Sequence, residues 1–142
     1  REVCLYFKEL DVILLGYIDD HSTPDENNTI KILRDYKTKS ESSKKDLHLP
    51  KKFQLELYAM YLISIGYSVE RAEYTVIERL GGKECMNGGG RESLSVGDKI
   101  WEEEYKDRLT EKRFKEAEEL VKKTVEKISS YYKTYLKLLR NN

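Results

Sequence analysis

Asp19, Asp35 and Lys37 are the residues of this chain whose types and spacing best suit chemistry. They lie in VILLGYIDDHSTPDENNTIKILRDYKT, residues 12–38, where two stretches rich in aliphatic and β-branched residues flank a polar segment. Pro24, Asp25, Asn27 and Asn28 supply turn chemistry there, so a β-hairpin is expected. Side chains alternate along a strand, which puts Asp35 and Lys37 on one face and Tyr36 on the other. Asp19 ends the first strand and can face the same point. Two converging carboxylates are costly unless a cation neutralises them, and hard divalent cations want such oxygens. A lysine beside them can hold a hydroxide or a phosphate oxygen. That is the equipment for metal-assisted phosphodiester hydrolysis. An isolated Asp-x-Lys is more often a strand end with a solvated edge, so the weight rests on what surrounds it.

The elements that must position these residues can be read in order. Residues 2–10, EVCLYFKEL, set Val3, Leu5 and Phe7 against Cys4, Tyr6 and Lys8 with period 2, a strand pattern. With a short turn at 9–11, three successive antiparallel strands are expected over about 2–9, 12–20 and 29–38. Residues 39–49 are Ser/Lys-rich and read as a loop, and Pro50 suits the first turn of a helix. Residues 51–65 are apolar nearly all round, with Gln54 and Tyr58 as polar exceptions at i and i+4. Gly66 is a natural stop for that helix. Residues 72–80 read as a fourth strand, giving a βββαβ order.

The order GxxD, then DYKT, then QLxxY on the next helix resembles the PD-(D/E)XK nuclease superfamily, nearest its RecB-type exonucleases and their CRISPR-associated and phage relatives. The residues that carry the resemblance are GYID (16–19), DYKT (35–38) and QLELY (54–58), and it covers roughly residues 3–80. It implies an α+β fold with a restriction-endonuclease-like core: a mainly antiparallel-to-mixed sheet flanked by helices. It also implies Mg²⁺ or Mn²⁺ held by Asp19, Asp35 and the Tyr36 carbonyl. Lys37 would activate water, with Gln54 and Tyr58 positioning Lys37 or the DNA backbone. The expected function is metal-dependent DNA cleavage, exonuclease-like, in repair, recombination or phage DNA processing. The alternative is a catalytically incomplete nuclease-fold domain that binds DNA or a protein partner. An RNA-processing enzyme on the same fold is a third, weaker reading. Family members carry a helix before the first strand, with a glutamate that contributes to the metal site. Here the first strand begins almost at residue 1, and neither Glu2 nor Glu9 stands at the motif position. That helix is expected to be missing, and an upstream segment or a partner would complete the site.

The 142 residues suit a single nuclease-like domain, 1–142, with its core at 2–80. Lys+Arg and Asp+Glu are 26 each, so the net charge is zero. A neutral chain is no sequence-blind nucleic-acid glue, and contact with DNA must come from local patches. Residues 31–52 carry eight Lys/Arg against three Asp/Glu, while residues 16–28 carry four Asp/Glu and no Lys/Arg. Lys39, Lys44, Lys45, Lys51 and Lys52, directly after the DYKT strand, are the expected phosphate contacts. Cys4 and Cys85 are too few and too far apart for an iron–sulfur cluster, and are expected to be free thiols of a reducing, cytoplasmic compartment. No apolar run approaches a membrane span.

Residues 81–97 hold six glycines without the GxxxxGK[ST] pattern and read as a flexible loop. Residues 98–108 suggest either a strand around 99–106 or a helix start, with Trp101 as packing. Residues 110–140 form the clearest helix. Thr110 can cap it, with Arg113 where a capping box would want Glu. Its stripe of Phe114, Ala117, Val121, Val125, Ile128, Tyr132, Tyr135 and Leu139 is expected to dock on the sheet. In the alternative, Lys122, Lys123, Lys127 and Lys133 with Tyr131 or Tyr132 flank a DNA channel. A rival reading of Pro24-Asp25 as the PD motif is set aside, because Asp25 sits in a turn. His21 and His48 are lone histidines in turn and loop contexts, and Asp20 is expected to point away from the site and be exposed.

Overall fold

β1 (Glu2–Phe7) and β2 (Val12–Tyr17) pair antiparallel, with Val3 opposite Gly16 and Leu5 opposite Leu14. The period-2 pattern works as read for β1: Val3 and Leu5 are buried while Glu2, Cys4 and Tyr6 face outward. The turn between them places Asp11 at φ 52, and Tyr6 Oη donates to Asp11 Oδ1 at 3.0 Å. The computed structural model describes residues 1–39, 53–80, 95–104 and 109–140.

The hairpin expected over residues 12–38 is corrected. β2 pairs with β1 and not with the DYKT strand. Ile18 still exchanges both backbone hydrogen bonds with Arg1 and is buried; after it the chain leaves the first sheet, and Asp20–His21 form a two-residue β3. β3 alone pairs antiparallel with β4 (Thr29–Lys39), Asp20 opposite Arg34. The turn before β4 is built as its residues suggest. Asp25 Oδ1 accepts the Asn27 and Thr29 amides, each at 2.9 Å, and Asn28 takes φ 58.

From β4 the chain returns through α1 (Gln54–Ser64) to β5 (Ser68–Leu80), which lies parallel to β4 with Asp35 opposite Tyr74. A parallel pair needs such a crossover. β6 (Ser95–Glu104) adds antiparallel to β5, giving a four-stranded mixed sheet in the order β3-β4-β5-β6. β5 begins four residues earlier than the sequence suggested, because the polar pair Glu70-Arg71 masks its start. Residues 95–104 are strand rather than helix start, which also trims the glycine-rich segment read as 81–97. Residues 81–94, with Cys85, lie outside the described residues, as do 40–52 with Lys44, Lys45, His48, Pro50, Lys51 and Lys52.

α1 lies against β1, β4 and β5 and closes one core over both sheets: Val3, Leu5, Ile18, Ile30, Leu33, Leu55, Ala59, Leu62, Ala72 and Val76 are all buried there. Each such aliphatic contributes about 1.5–3 kcal/mol on burial, alanine less. The helix ends at Gly66 (φ 98) in a Schellman turn. The Tyr67 amide donates to the Leu62 carbonyl at 3.0 Å and the Gly66 amide to that of Ile63 at 3.1 Å.

α2 (Glu111–Arg140) starts as expected, Thr110 Oγ1 accepting the Arg113 amide at 3.2 Å. Its stripe does not dock along its length. Ala117 and Val121 are buried, but Ile128, Tyr132, Tyr135 and Leu139 are exposed by 55% or more. α2 meets α1 near its start, where Arg113 reaches Glu56. Among the described residues no helix is long and apolar enough to cross a membrane. The fold is α+β, with one antiparallel and one mixed sheet and a long C-terminal helix.

Candidate active site

Asp35 is 1% exposed in the middle of β4, on the face covered by α1. Lys37, two residues on, lies on the same face, and its Nζ rests against Asp35 Oδ2. Tyr36 points the other way and is exposed, as alternation requires. Lys37 Nζ also donates to Gln54 Oε1 at 3.0 Å, and Gln54 Nε2 donates to Tyr58 Oη at 3.0 Å. The ammonium lies 5.6 Å from the centre of the Tyr74 ring. A polar chain therefore runs from β4 to the first turns of α1: Asp35, Lys37, Gln54, Tyr58.

Asp19 joins from the junction between the two sheets. Its Oδ2 accepts the backbone amide of Tyr36 at 2.9 Å. Within a strand, the N–H and C=O of one residue face the same neighbour, so the Tyr36 carbonyl is directed to Asp19's side as well. Burial is the main reason that the Asp35 carboxyl is held above its usual range. Lys37 opposes that push, and ionised Asp19 adds to it. The structure thus brings together all the residues read as catalytic: Asp19, Asp35, Lys37, Gln54 and Tyr58.

Gly16, the glycine of GxxD, has a packing reason to lack a side chain. A Cβ built there would stand 3.1 Å from Tyr58 Cε1 and 3.4 Å from its Oη. Tyr58 can thus lie over β2 and still present its hydroxyl to Gln54.

Several charges were not anticipated. Glu56 was hidden by the apolar run of α1, yet it is fully buried. Arg113 meets Glu56 Oε1 through Nε at 3.0 Å and Nη2 at 2.7 Å, and its guanidinium lies 4.2 Å over the Phe53 ring. The signal was present in two parts: a glutamate among apolar residues, and an arginine where a capping box wants Glu. On the opposite face of β4, Arg34 joins buried Glu73 (2.6 Å) to Asp20 (3.2 Å), and Tyr36 Oη donates to Asp20 at 3.2 Å. Asp20 points away from the site as read, but it is half-buried in this network rather than exposed. Asp25 is occupied by its turn and by Lys31, and its carboxyl is held low by the Thr29 amide. His21 Nδ1 lies 2.9 Å from the Ser22 carbonyl.

Two carboxylates, one of them buried, are hard oxygen donors. Among the described residues there is no group of three or more His, Cys, Asp or Glu able to hold a metal. The two carboxylates are nonetheless donors of the kind Mg²⁺ uses, which is usually held by one or two carboxylates and keeps several waters. No family model matches the chain, and no curated protein or solved structure matches it either.

Proposed function

We propose that this chain is the core of a metal-dependent DNA nuclease of the PD-(D/E)XK superfamily, close to its RecB-type branch, on a restriction-endonuclease-like fold. The observation that carries this reading is the convergence of Asp19, Asp35, Lys37, Gln54 and Tyr58 at one point. They come from the β2–β3 junction, β4 and α1. The parallel β4–α1–β5 crossover supports it, because it is what sets Gln54 and Tyr58 over the Asp35–Lys37 face.

Mg²⁺ or Mn²⁺ held by Asp19, Asp35 and the Tyr36 carbonyl would supply a Lewis acid and a more acidic water. Lys37 places positive charge where the phosphorus oxygens gain negative charge. Gln54, oriented by Tyr58, fixes the ammonium and keeps its rotamer from wandering. Lys39 and the lysines at 44, 45, 51 and 52 would follow the DNA backbone away from the scissile bond.

The test is cleavage of linear and circular DNA, with RNA alongside, in Mg²⁺, Mn²⁺ or EDTA. The expected result is metal-dependent DNA cleavage that Lys37→Ala slows by about 10²–10³, a common loss for one electrostatic group. The shortage of acidic ligands among the described residues favours a second reading, a domain that binds DNA or a protein partner without cutting. DNA retention without cleavage, equal in EDTA and Mg²⁺, would support that second reading. Neither cleavage nor binding would remove both.

A further inference from the structure

Asp35 already has a cation in Lys37. We propose that Lys37 is this resident cation, and that a divalent ion enters the site by exchange with its ammonium. The inference rests on the nuclease reading above and adds how the site is loaded.

A carboxylate as buried as Asp35 is tolerated only with a charged partner. Lys37 Nζ fills that role on Asp35 Oδ2. A divalent ion and an ammonium cannot share one carboxylate oxygen without strong repulsion. An ion that takes Asp35 Oδ2 therefore requires Lys37 to withdraw, and a berth is built for it. Gln54 Oε1 is already 3.0 Å from Nζ, and the Tyr74 ring lies beside the ammonium. Gln54 cannot turn its oxygen away without losing the bond from its Nε2 to Tyr58 Oη. Tyr58 is in turn packed over Gly16. The ammonium moves from a carboxylate to an amide oxygen, and ends beside the ion, where a phosphate oxygen would arrive.

Exchange makes opposite demands on the two ends of the Lys37–Gln54 bond. Removing the ammonium removes the competitor, so Lys37→Met should bind Mn²⁺ about tenfold or more tightly than the parent, ~1.4 kcal/mol. Removing the berth leaves the ammonium with Asp35 alone, so Gln54→Leu should bind Mn²⁺ more weakly. A merely structural role predicts loss in both. The experiment is titration of Mn²⁺ into metal-stripped protein at pH 8, by calorimetry and by the electron paramagnetic resonance of free Mn²⁺. Circular dichroism checks the fold of each variant. Gln54→Leu keeps the Asp35–Lys37 pair and stands as the test if Lys37→Met does not fold. Opposite shifts support exchange. Mn²⁺ binding by the parent that Lys37→Met leaves equal or weaker, or that Gln54→Leu leaves equal or tighter, overturns exchange and leaves the metal site standing. No Mn²⁺ binding by any of the three at millimolar ion overturns the metal site itself, and exchange with it.

Discussion

Gly16 lies beneath the ring of Tyr58, so close that an added Cβ would stand 3.1 Å from Tyr58 Cε1. A glycine in the first sheet thereby sets the position of a hydroxyl that, through Gln54, holds Lys37 on the second.

Gly16→Ala should therefore destabilise the fold by pressing on the Tyr58 ring. Overpacking of this kind costs typically ~1–3 kcal/mol. The ring of Tyr58 must shift by a few tenths of an ångström, which weakens its bond with Gln54. A double-mutant cycle checks the cause. In a Tyr58→Ala background, Gly16→Ala should cost almost nothing in urea denaturation. Equal costs in both backgrounds would show that the ring is not what the alanine meets.

The buried Asp35 carboxyl gives a pH dependence whose sign can be worked out. Its pKa in the folded chain is raised, chiefly by burial, above the ordinary 3.8. The folded state then holds this proton more tightly than the unfolded state. Stability from this group is present below the unfolded pKa and is lost as pH rises through the folded one. Asp35→Asn should therefore raise the melting temperature at pH 7 without divalent cations, and the gain should shrink toward pH 4. Thermal melts across that range decide it. A variant less stable than the parent at pH 7 would mean that Lys37 more than offsets the burial.

Arg113→Ala should be among the most damaging changes outside the site. It would leave Glu56, 0% exposed, as a buried carboxylate stripped of its guanidinium. Losing one partner of a buried pair costs roughly 3–5 kcal/mol. The double variant Glu56→Leu, Arg113→Met should recover most of that in guanidinium denaturation, because the buried carboxylate goes with its guanidinium. A double variant as unstable as Arg113→Ala would point to the stacking on Phe53 instead.

Changing Lys44 and Lys45 together to Ala should weaken DNA binding alike for all sequences. The plot of log affinity against log salt should flatten by roughly 1–2, as each lost phosphate contact contributes about 0.7–0.9. Fluorescence anisotropy over a range of NaCl measures both. An unchanged slope would pass the role to the basic face of α2.

What could be read from the sequence is what local periodicity encodes. Asp35 and Lys37 share a face because strand side chains alternate. Gln54 and Tyr58 share one because helix neighbours are four apart, and Gly66 stops α1 because it can adopt φ 98. Pairings between distant positions carry no such signal. Glu56 meets Arg113 across 57 residues, and Arg34 meets Glu73 across 39. β1 and β2 pair across a short turn, as their adjacency implies, but the passage from β2 on the first sheet to β3 on the second, between Tyr17 and Asp20, has no such local signal. The stripe of α2 was read correctly as apolar, but periodicity does not say how many of its turns meet another surface.

The parallel register of β4 on β5 makes residues 29–35 intolerant of insertions and deletions. Ile30 and Leu33 are buried, and Leu33 lies opposite Ala72. Deleting a single residue there forces a choice. If the aliphatic residues keep their places, Asp35 and Lys37 turn out to the face of Arg34 and Tyr36. If Asp35 and Lys37 keep theirs, Ile30 is put on the opposite face. Deleting two residues preserves the face but draws the strand along by roughly 6.6 Å, more than a hydrogen bond between Lys37 and Gln54 can span. In a set of length variants, odd changes should therefore cost either the buried aliphatic packing or the facing of Lys37, whereas even changes should keep the face and cost the lysine's reach alone.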